Sequence, residues 1–163
     1  MDRRLRCGRA LADLWRRLPP APWMRGAVLR ALNARFLVGA VGVVRDLDRR
    51  ILLFRHTYRR GVAWGLPGGY VRAGELPSGA LVREVAEESG LVVRCDALVG
   101  VVSWPGEAHI DVVYHATLVG GGFRPSAEVS AVRRVPPQAV GVLSPKDRHV
   151  LALAFQRGAP ETR

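Results

Sequence analysis

The sequence predicts an α/β/α sandwich around a mixed, mostly antiparallel sheet. Two patterns carry that expectation. Short Val- and Ile-rich runs recur at residues 36–44, 51–54, 92–93, 98–102 and 110–118, the last alternating apolar with polar partners. Helical stripes follow Pro77 and Ser144, so one helix is available for each face of the sheet.

A chain of 163 residues holds one hydrophobic core and is short for two. Residues 35–158 are therefore expected to form one domain, behind a basic amphipathic helical extension at 1–34 and before a tail at 159–163. Hydrophobic residues make up 48% and charged residues 24%, a globular composition that excludes a wholly disordered chain. No apolar run approaches the roughly 18–20 residues of a membrane span. There is no repeat at solenoid periods. Cys7 and Cys95 lack metal-ligand spacing and read as reduced thiols, which fits a cytoplasmic protein.

The formal net charge of +11 is concentrated at one end. Residues 1–35 carry nine Arg against Asp2 and Asp13, a balance of +7 that leaves +4 for everything else. A basic body helps steer polyphosphates, but no patch interleaves its cations with aromatics as a nucleic-acid surface would. Within the extension, Pro19, Pro20 and Pro22 separate a stripe of Leu11, Leu14, Trp15 and Leu18 from a second short helix over 23–33. Broken by Asp13 and followed by arginines, residues 10–15 do not read as a signal-peptide core. Packing on the domain or on a second copy, which would make a homodimer, is preferred to a membrane-surface anchor.

From Phe36 the pattern is that of strands. Residues 36–44 and 51–54 read as a hairpin around the turn Asp46-Leu47-Asp48-Arg49. Residues 55–61 then read as a basic, flexible loop leading into Trp64-Gly65-Leu66-Pro67. Arg55 is a candidate phosphate contact, and Tyr58 and Trp64 are candidate stacking surfaces for a base. The plainer alternatives are a surface arginine and core-edge aromatics.

Gly68 and Gly69 require backbone freedom, so the chain is expected to turn sharply before Pro77 opens a helix that ends at Gly90. The helix's apolar stripe reads as Leu81, Val82, Val85 and Ala86, with Glu84, Glu87 and Glu88 on the opposite face beside Arg83. Like charges at i, i+4 repel by roughly 0.2–0.5 kcal/mol. Acids in the last turn oppose the helix dipole by about 0.3–1 kcal/mol each. A cation would relieve both, and clustered carboxylates suit Mg²⁺, Ca²⁺ or Mn²⁺.

Gly69, Glu75, Arg83-Glu84-Val85, Glu87-Glu88 and Gly90-Leu91 stand in one fixed register that resembles the Nudix box. Around it, residues 35–135 resemble the Nudix domain in their order of strands, loops and helix. The resemblance implies a Nudix-type α/β/α sandwich and metal-dependent hydrolysis of a nucleoside diphosphate linked to another group. It also implies Glu84, Glu87 and Glu88 as ligands of Mg²⁺ or Mn²⁺, with the Gly68 carbonyl as a further one. Glu75 and Arg83 would orient the cluster, and Glu87, Glu88 or Glu128 would accept the attacking water's proton. Glu128 opens a segment similar to the late Nudix strand, in which Arg134 replaces the usual aromatic and Ala131 a common second acid. Leu76 and Gly79 depart from the usual helix cap and acid, the lost cap costing about 1 kcal/mol.

The loop at 103–109 is expected to set specificity, with Trp104 as its candidate base contact. Nudix enzymes acting on ADP-ribose tend to carry a proline about 15 or 16 residues past the box, where this chain has Gly106 and Glu107, with Pro105 one step early. The tyrosine of the diadenosine-polyphosphate pattern is also missing at Glu107, Ala108 and His109. These signatures leave the substrate subclass open. His56, His109, His115 and His149 lack zinc spacing and read as surface or hydrogen-bonded histidines. Ser144-Pro145-Lys146-Asp147 caps a helix that packs through Val150, Leu151, Ala154 and Phe155 and ends near Gly158.

Two other function classes stand beside the hydrolase. A Nudix-fold module could bind nucleotide or RNA without turnover, although intact Glu84, Glu87, Glu88 and Arg83 speak against it. The arginine-rich extension motivates an RNA-binding or RNA-end-processing role, whose affinity would fall steeply with salt.

Overall fold

Ile51, Leu52, Leu53 and Phe54 are all fully buried, which a strand achieves only when both faces of its sheet are covered. The computed structural model, which describes residues 35–141 and 143–158, shows that arrangement. The expectations for the extension at 1–34 and the tail at 159–163 lie outside the described residues. Strands β1 (Leu37–Arg45), β2 (Ile51–His56), β3 (Trp64–Gly65) and β4 (Gly68–Tyr70) precede helix α1 (Pro77–Ser89). Strands β5 (Leu91–Ser103), β6 (His109–Gly121) and β7 (Val129–Val135) and helix α2 (Pro145–Gln156) follow.

The sheet order is β3-β2-β1-β6-β5, with β4 also pairing with β1 and β7 with β2. β1 and β6 run parallel, from Leu37 opposite His109 to Arg45 opposite Thr117. The other pairings are antiparallel, so the sheet is mixed and mostly antiparallel as expected. Leu52 and Phe54 pack on the α1 side with Ala40, Leu81 and Val85, while Ile51 and Leu53 pack on the α2 side with Val113, Val150 and Leu151. Burying each such side chain contributes about 1.5–3 kcal/mol, which is what holds one helix on each face. Among the described residues no helix is long and apolar enough to cross a membrane.

Several local expectations change. The runs at 92–93 and 98–102 belong to one strand, β5, kept continuous by register shifts that absorb its irregular pairing with β6. The first hairpin closes only at Arg45 opposite Ile51, after which β2 turns to β3 and β7. Gly68 and Gly69 lie in strand β4 rather than in a turn, and the chain reverses only after it, where the Glu75 amide donates to the Arg72 carbonyl. Arg55 and His56 complete β2, leaving residues 57–63 as the loop.

The box helix is rotated from its expected setting. Leu81 and Val85 are buried, but Ala86 is exposed and Glu88 is buried. At 100° per residue Glu88 lies about 20° from Leu81 around the helix, whereas Ala86 lies about 140° away. Glu88 therefore belongs to the inward stripe, and only Glu84 and Glu87 flank it. Leu76 is the N-cap and makes no side-chain cap bond; Gly90 closes the helix at φ 70°. On α2 the Ser144 hydroxyl accepts from the Asp147 amide at 3.1 Å and donates to the Asp147 carboxylate at 2.6 Å. That helix ends at Gln156, two residues before Gly158.

Candidate active site

Strand β4 lies antiparallel on β1, with Tyr70 opposite Gly39, Gly69 opposite Ala40 and Gly68 opposite Val41. The pairing sets two glycines beneath the acidic helix. A Cβ at Gly69 would fall 2.4 Å from the Glu84 Cδ, and one at Gly68 would fall 2.4 Å from the Ala40 carbonyl oxygen. The two glycines are thus required for different reasons. In Gly69→Ala the obstructed group is a movable carboxylate, so metal-dependent activity is expected to fall at least about 10-fold with little change in melting temperature. In Gly68→Ala the obstruction is fixed backbone, and stability is expected to fall by about 1–3 kcal/mol. Thermal melts beside metal-titrated turnover separate the two; a Gly69→Ala protein with unaltered metal dependence would remove Gly69 from the site.

Arg83 sits at the hub of the box. Its guanidinium holds both oxygens of Glu75 at 2.8 Å, Glu84 at 2.6 Å and Glu87 at 3.1 Å, and it donates to the Tyr70 carbonyl at 3.1 Å. Bonding to Arg83, with the Arg72 amide second, draws the Glu75 carboxyl down to about 2. The same carboxylates hold Arg83 above the usual arginine range. Glu87 is half exposed and also pairs with Arg72 at 3.1 Å.

Glu88 differs from its neighbours. It is 7% exposed, and its Oε2 has no hydrogen-bond partner. Burial, with the Glu128 and Glu84 carboxylates adding to it, pushes the Glu88 carboxyl up to about 7. Among the described residues no three His, Cys, Asp or Glu side chains already converge as a ligand set. The donor chemistry nonetheless fits a hard divalent cation: an orphaned buried carboxylate oxygen, Glu84 close above Gly69, and a glycine cradle with no side chain in the way. Glu84, Glu88 and the Gly68 carbonyl could hold such an ion, with Glu87 released from Arg72 and Arg83 to join them.

Beside this cluster opens a cleft of about 890 Å³, lined by Gly68 and Gly69, by Tyr58 and Trp104, and by groups the sequence reading passed over. Those include His56, Tyr70, Asp111 and Lys146. Arg55 and Trp64 are not among its lining. Arg55 is exposed where β2 pairs with β3 and β7, and Trp64 packs in the α2-side core beneath Arg133, whose guanidinium lies 4.2 Å from the ring centroid. His56 and His115 are also neither surface nor hydrogen-bonded. Both are buried with both ring nitrogens unpartnered, and desolvation lowers the pKa of each, His56 to about 4. The available signal was strand parity: Asp111, Val113 and His115 alternate onto one inward face, where polar residues are unusual.

The model of the NUDIX domain family matches residues 35–154. A MutT-like protein of Streptomyces ambofaciens is 35% identical over 103 residues, covering 63% of this chain and 66% of that protein. An ADP-ribose pyrophosphatase of Methanocaldococcus jannaschii is 36% identical over 91 residues, covering 52% of this chain and 53% of that one. The chain thus spans about two thirds and about half of these relatives' lengths. The crystal structure of an ADP-ribose pyrophosphatase from Streptococcus suis superposes with a TM-score of 0.64 at 25% identity, covering 77% of this chain and 94% of that one.

Proposed function

Because the chain belongs to the NUDIX domain family, we propose that it is a Mg²⁺- or Mn²⁺-dependent pyrophosphohydrolase acting on a nucleoside diphosphate linked to another group. The observation that carries this reading is the buried Glu88 carboxylate, whose Oε2 has no partner, beside Glu84 and the Gly68-Gly69 cradle, at the edge of a cleft with aromatic walls. A divalent ion bound there supplies charge neutralisation for the phosphate oxygens and a water nucleophilic at neutral pH.

The chain's own residues do the rest. Glu84, Glu87 and Glu88 with the Gly68 carbonyl hold the ion, and Arg83, fixed by Glu75, sets the angle of Glu84 and Glu87. Glu88 is buried and Glu87 is held by two arginines, which leaves exposed Glu128, lying against Glu88, to take the proton of the attacking water. Tyr58 and Trp104 flank the organic part of the substrate. The site of action is the cytoplasm.

A turnover screen with Mg²⁺ or Mn²⁺ across nucleoside triphosphates, nucleotide sugars, dinucleoside polyphosphates, dinucleotide cofactors and ADP-ribose tests the reading. Metal-dependent release of a nucleoside monophosphate from at least one diphosphate-linked substrate is expected. Tight binding without turnover of any would replace it by the non-catalytic binding module.

A further inference from the structure

A second hollow, of about 400 Å³, shares no lining residue with the cleft. Arg45, Arg49, Arg94 and His115 line it together with Asp46 and Asp96. One rung of three strands sets its width: Arg45 on β1 is opposite Thr117 on β6, and Thr117 is opposite Arg94 on β5. Two strand spacings put the Cα atoms of Arg45 and Arg94 roughly 10 Å apart, a span that two arginine side chains can close around one small ligand. His115 stands two residues before Thr117, on the same face of β6. It is 4% exposed, and the Ala154 and Gly158 carbonyls lie near its ring without closing a hydrogen bond to either nitrogen.

Both carboxylates of the hollow are already claimed. Asp96 accepts from Arg94 Nε at 2.8 Å and from the Thr117 hydroxyl at 2.6 Å, and Asp46 accepts from the Arg50 amide at 2.9 Å and from Arg50 Nε at 2.8 Å. Among the described residues, Arg45 and Arg49 form no ion pair with a carboxylate. Arg45 rests on the Phe155 ring, 5.6 Å from its centroid. Burial, and next the Arg49 charge, hold the Arg45 guanidinium below the usual arginine range, so two cations stand near one another uncompensated.

Arg49 also breaks a local rule. Its amide donates to the Asp46 carbonyl at 3.0 Å in the turn after β1, and it does so at φ 60°, the only positive φ of a non-glycine residue among those described. Glycine or asparagine meets that left-handed geometry at less cost, whereas arginine there sets a guanidinium at the hollow. Planar guanidinium forks match the oxygens of phosphate, and two unpaired ones match a double negative charge.

We propose that this hollow is an anion site for a phosphate dianion, free or as the end group of a small phosphorylated metabolite, bound by Arg45 and Arg49 with Arg94 and His115 as further donors. Arg45 lies five residues along β1 from Ala40, the partner of Gly69, which is roughly 16 Å at the strand's rise per residue. Occupancy therefore neither blocks nor requires the cleft, and the site stands apart from the hydrolase reading.

The full chain without added metal, titrated with inorganic phosphate, tests this by calorimetry and by the NMR signals of the His115 ring. Phosphate is expected to bind and to move those signals, and acetate, with a single charge, to bind about 10-fold or more weakly. Arg45→Gln and Arg49→Gly should each weaken phosphate about 10-fold or more. Arg49→Gly should melt no lower than the wild type, since glycine relieves the left-handed turn, which separates a lost ligand group from lost folding. Glycerol 3-phosphate distinguishes the sources: affinity no greater than that of phosphate assigns the free anion, tighter binding assigns a phosphorylated metabolite, and either result upholds the site. The proposal is overturned if phosphate does not bind, if it binds without moving the His115 signals, or if both variants bind it as the wild type does, which would place the anion elsewhere.

Discussion

Glu88→Gln is expected to cut metal-dependent turnover by about 10²-fold or more while making the metal-free protein more stable above pH 7. The second half follows from burial. With its folded pKa at about 7 against an ordinary 4.5, Glu88 keeps a proton in the folded metal-free protein that the unfolded chain has already lost. The contribution of Glu88 is therefore greatest below pH 4.5, falls as pH rises through the window from 4.5 to 7, and stays lost above it, a difference on the order of 3 kcal/mol. Glutamine has no such charge to bury, although its own unpartnered amide gives back part of the gain.

His56 supplies an opposing slope. Burial, and next the Arg59 charge, lower it to about 4 from 6.5, so between those values the unfolded chain binds a proton that the folded protein rejects. Its contribution is present above pH 6.5 and is lost as pH falls toward 4. In the wild type the opposing slopes offset between about 4.5 and 6.5; in Glu88→Gln the rising slope of the buried histidines, His56 and with it His115, survives. Denaturant unfolding across pH 4 to 7 reads this directly, and Mg²⁺ should raise the wild-type melting temperature more than the variant's by linkage. Wild-type turnover with an unchanged Mg²⁺ response would remove Glu88 from the metal site. A variant whose stability did not change with pH in that window would remove His56 and His115 as buried neutral groups.

How much of this was legible in the sequence depended on whether the signal was periodic or relational. The two helices, the inner strands and the Ser144 cap announce themselves through spacing within a dozen residues, and the structure forms them there, although Phe155, expected on the packing face of α2, is exposed. The short strands β3 and β4 do not, because two or three residues carry no period and their pairing with β2 and β1 is decided across the sheet. Glu88 shows how a correct motif can be set on the wrong face: its charge suggested solvent, whereas its phase relative to Leu81 and Val85 puts it inside. Trp64 and Arg55 lie close to the box in sequence, but strand pairing carries them away from the cleft. Asp111 and Tyr70 lie far apart in sequence and come to line one cleft on either side of Gly39, a relation that only the register of three strands reveals.

Arg83→Lys is expected to lower kcat by about 10²-fold while lowering the melting temperature only modestly, since the charge is kept and the geometry is lost. The guanidinium serves four groups at once: a two-pronged bond to Glu75, single bonds to Glu84 and Glu87, and one to the Tyr70 carbonyl. An ammonium has three donors radiating from one atom. It can neutralise Glu75 or bridge Glu84 and Glu87, but it cannot do both with the planar spacing these distances require. Glu75, also held by the Arg72 amide at 3.0 Å, stays in place, so the loss falls on Glu84, which is free to swing, and on Glu87, which is left to Arg72 alone. A carboxylate that must be gathered before an ion can bind weakens that ion's affinity, so the apparent Mg²⁺ requirement should rise together with the fall in kcat, and excess Mg²⁺ should recover part of the rate. The KM for substrate at saturating metal should change little, because Arg83 is not among the residues lining the cleft. A purely structural role predicts the reverse: a lower melting temperature, an unaltered Mg²⁺ dependence, and full kcat in whatever fraction remains folded.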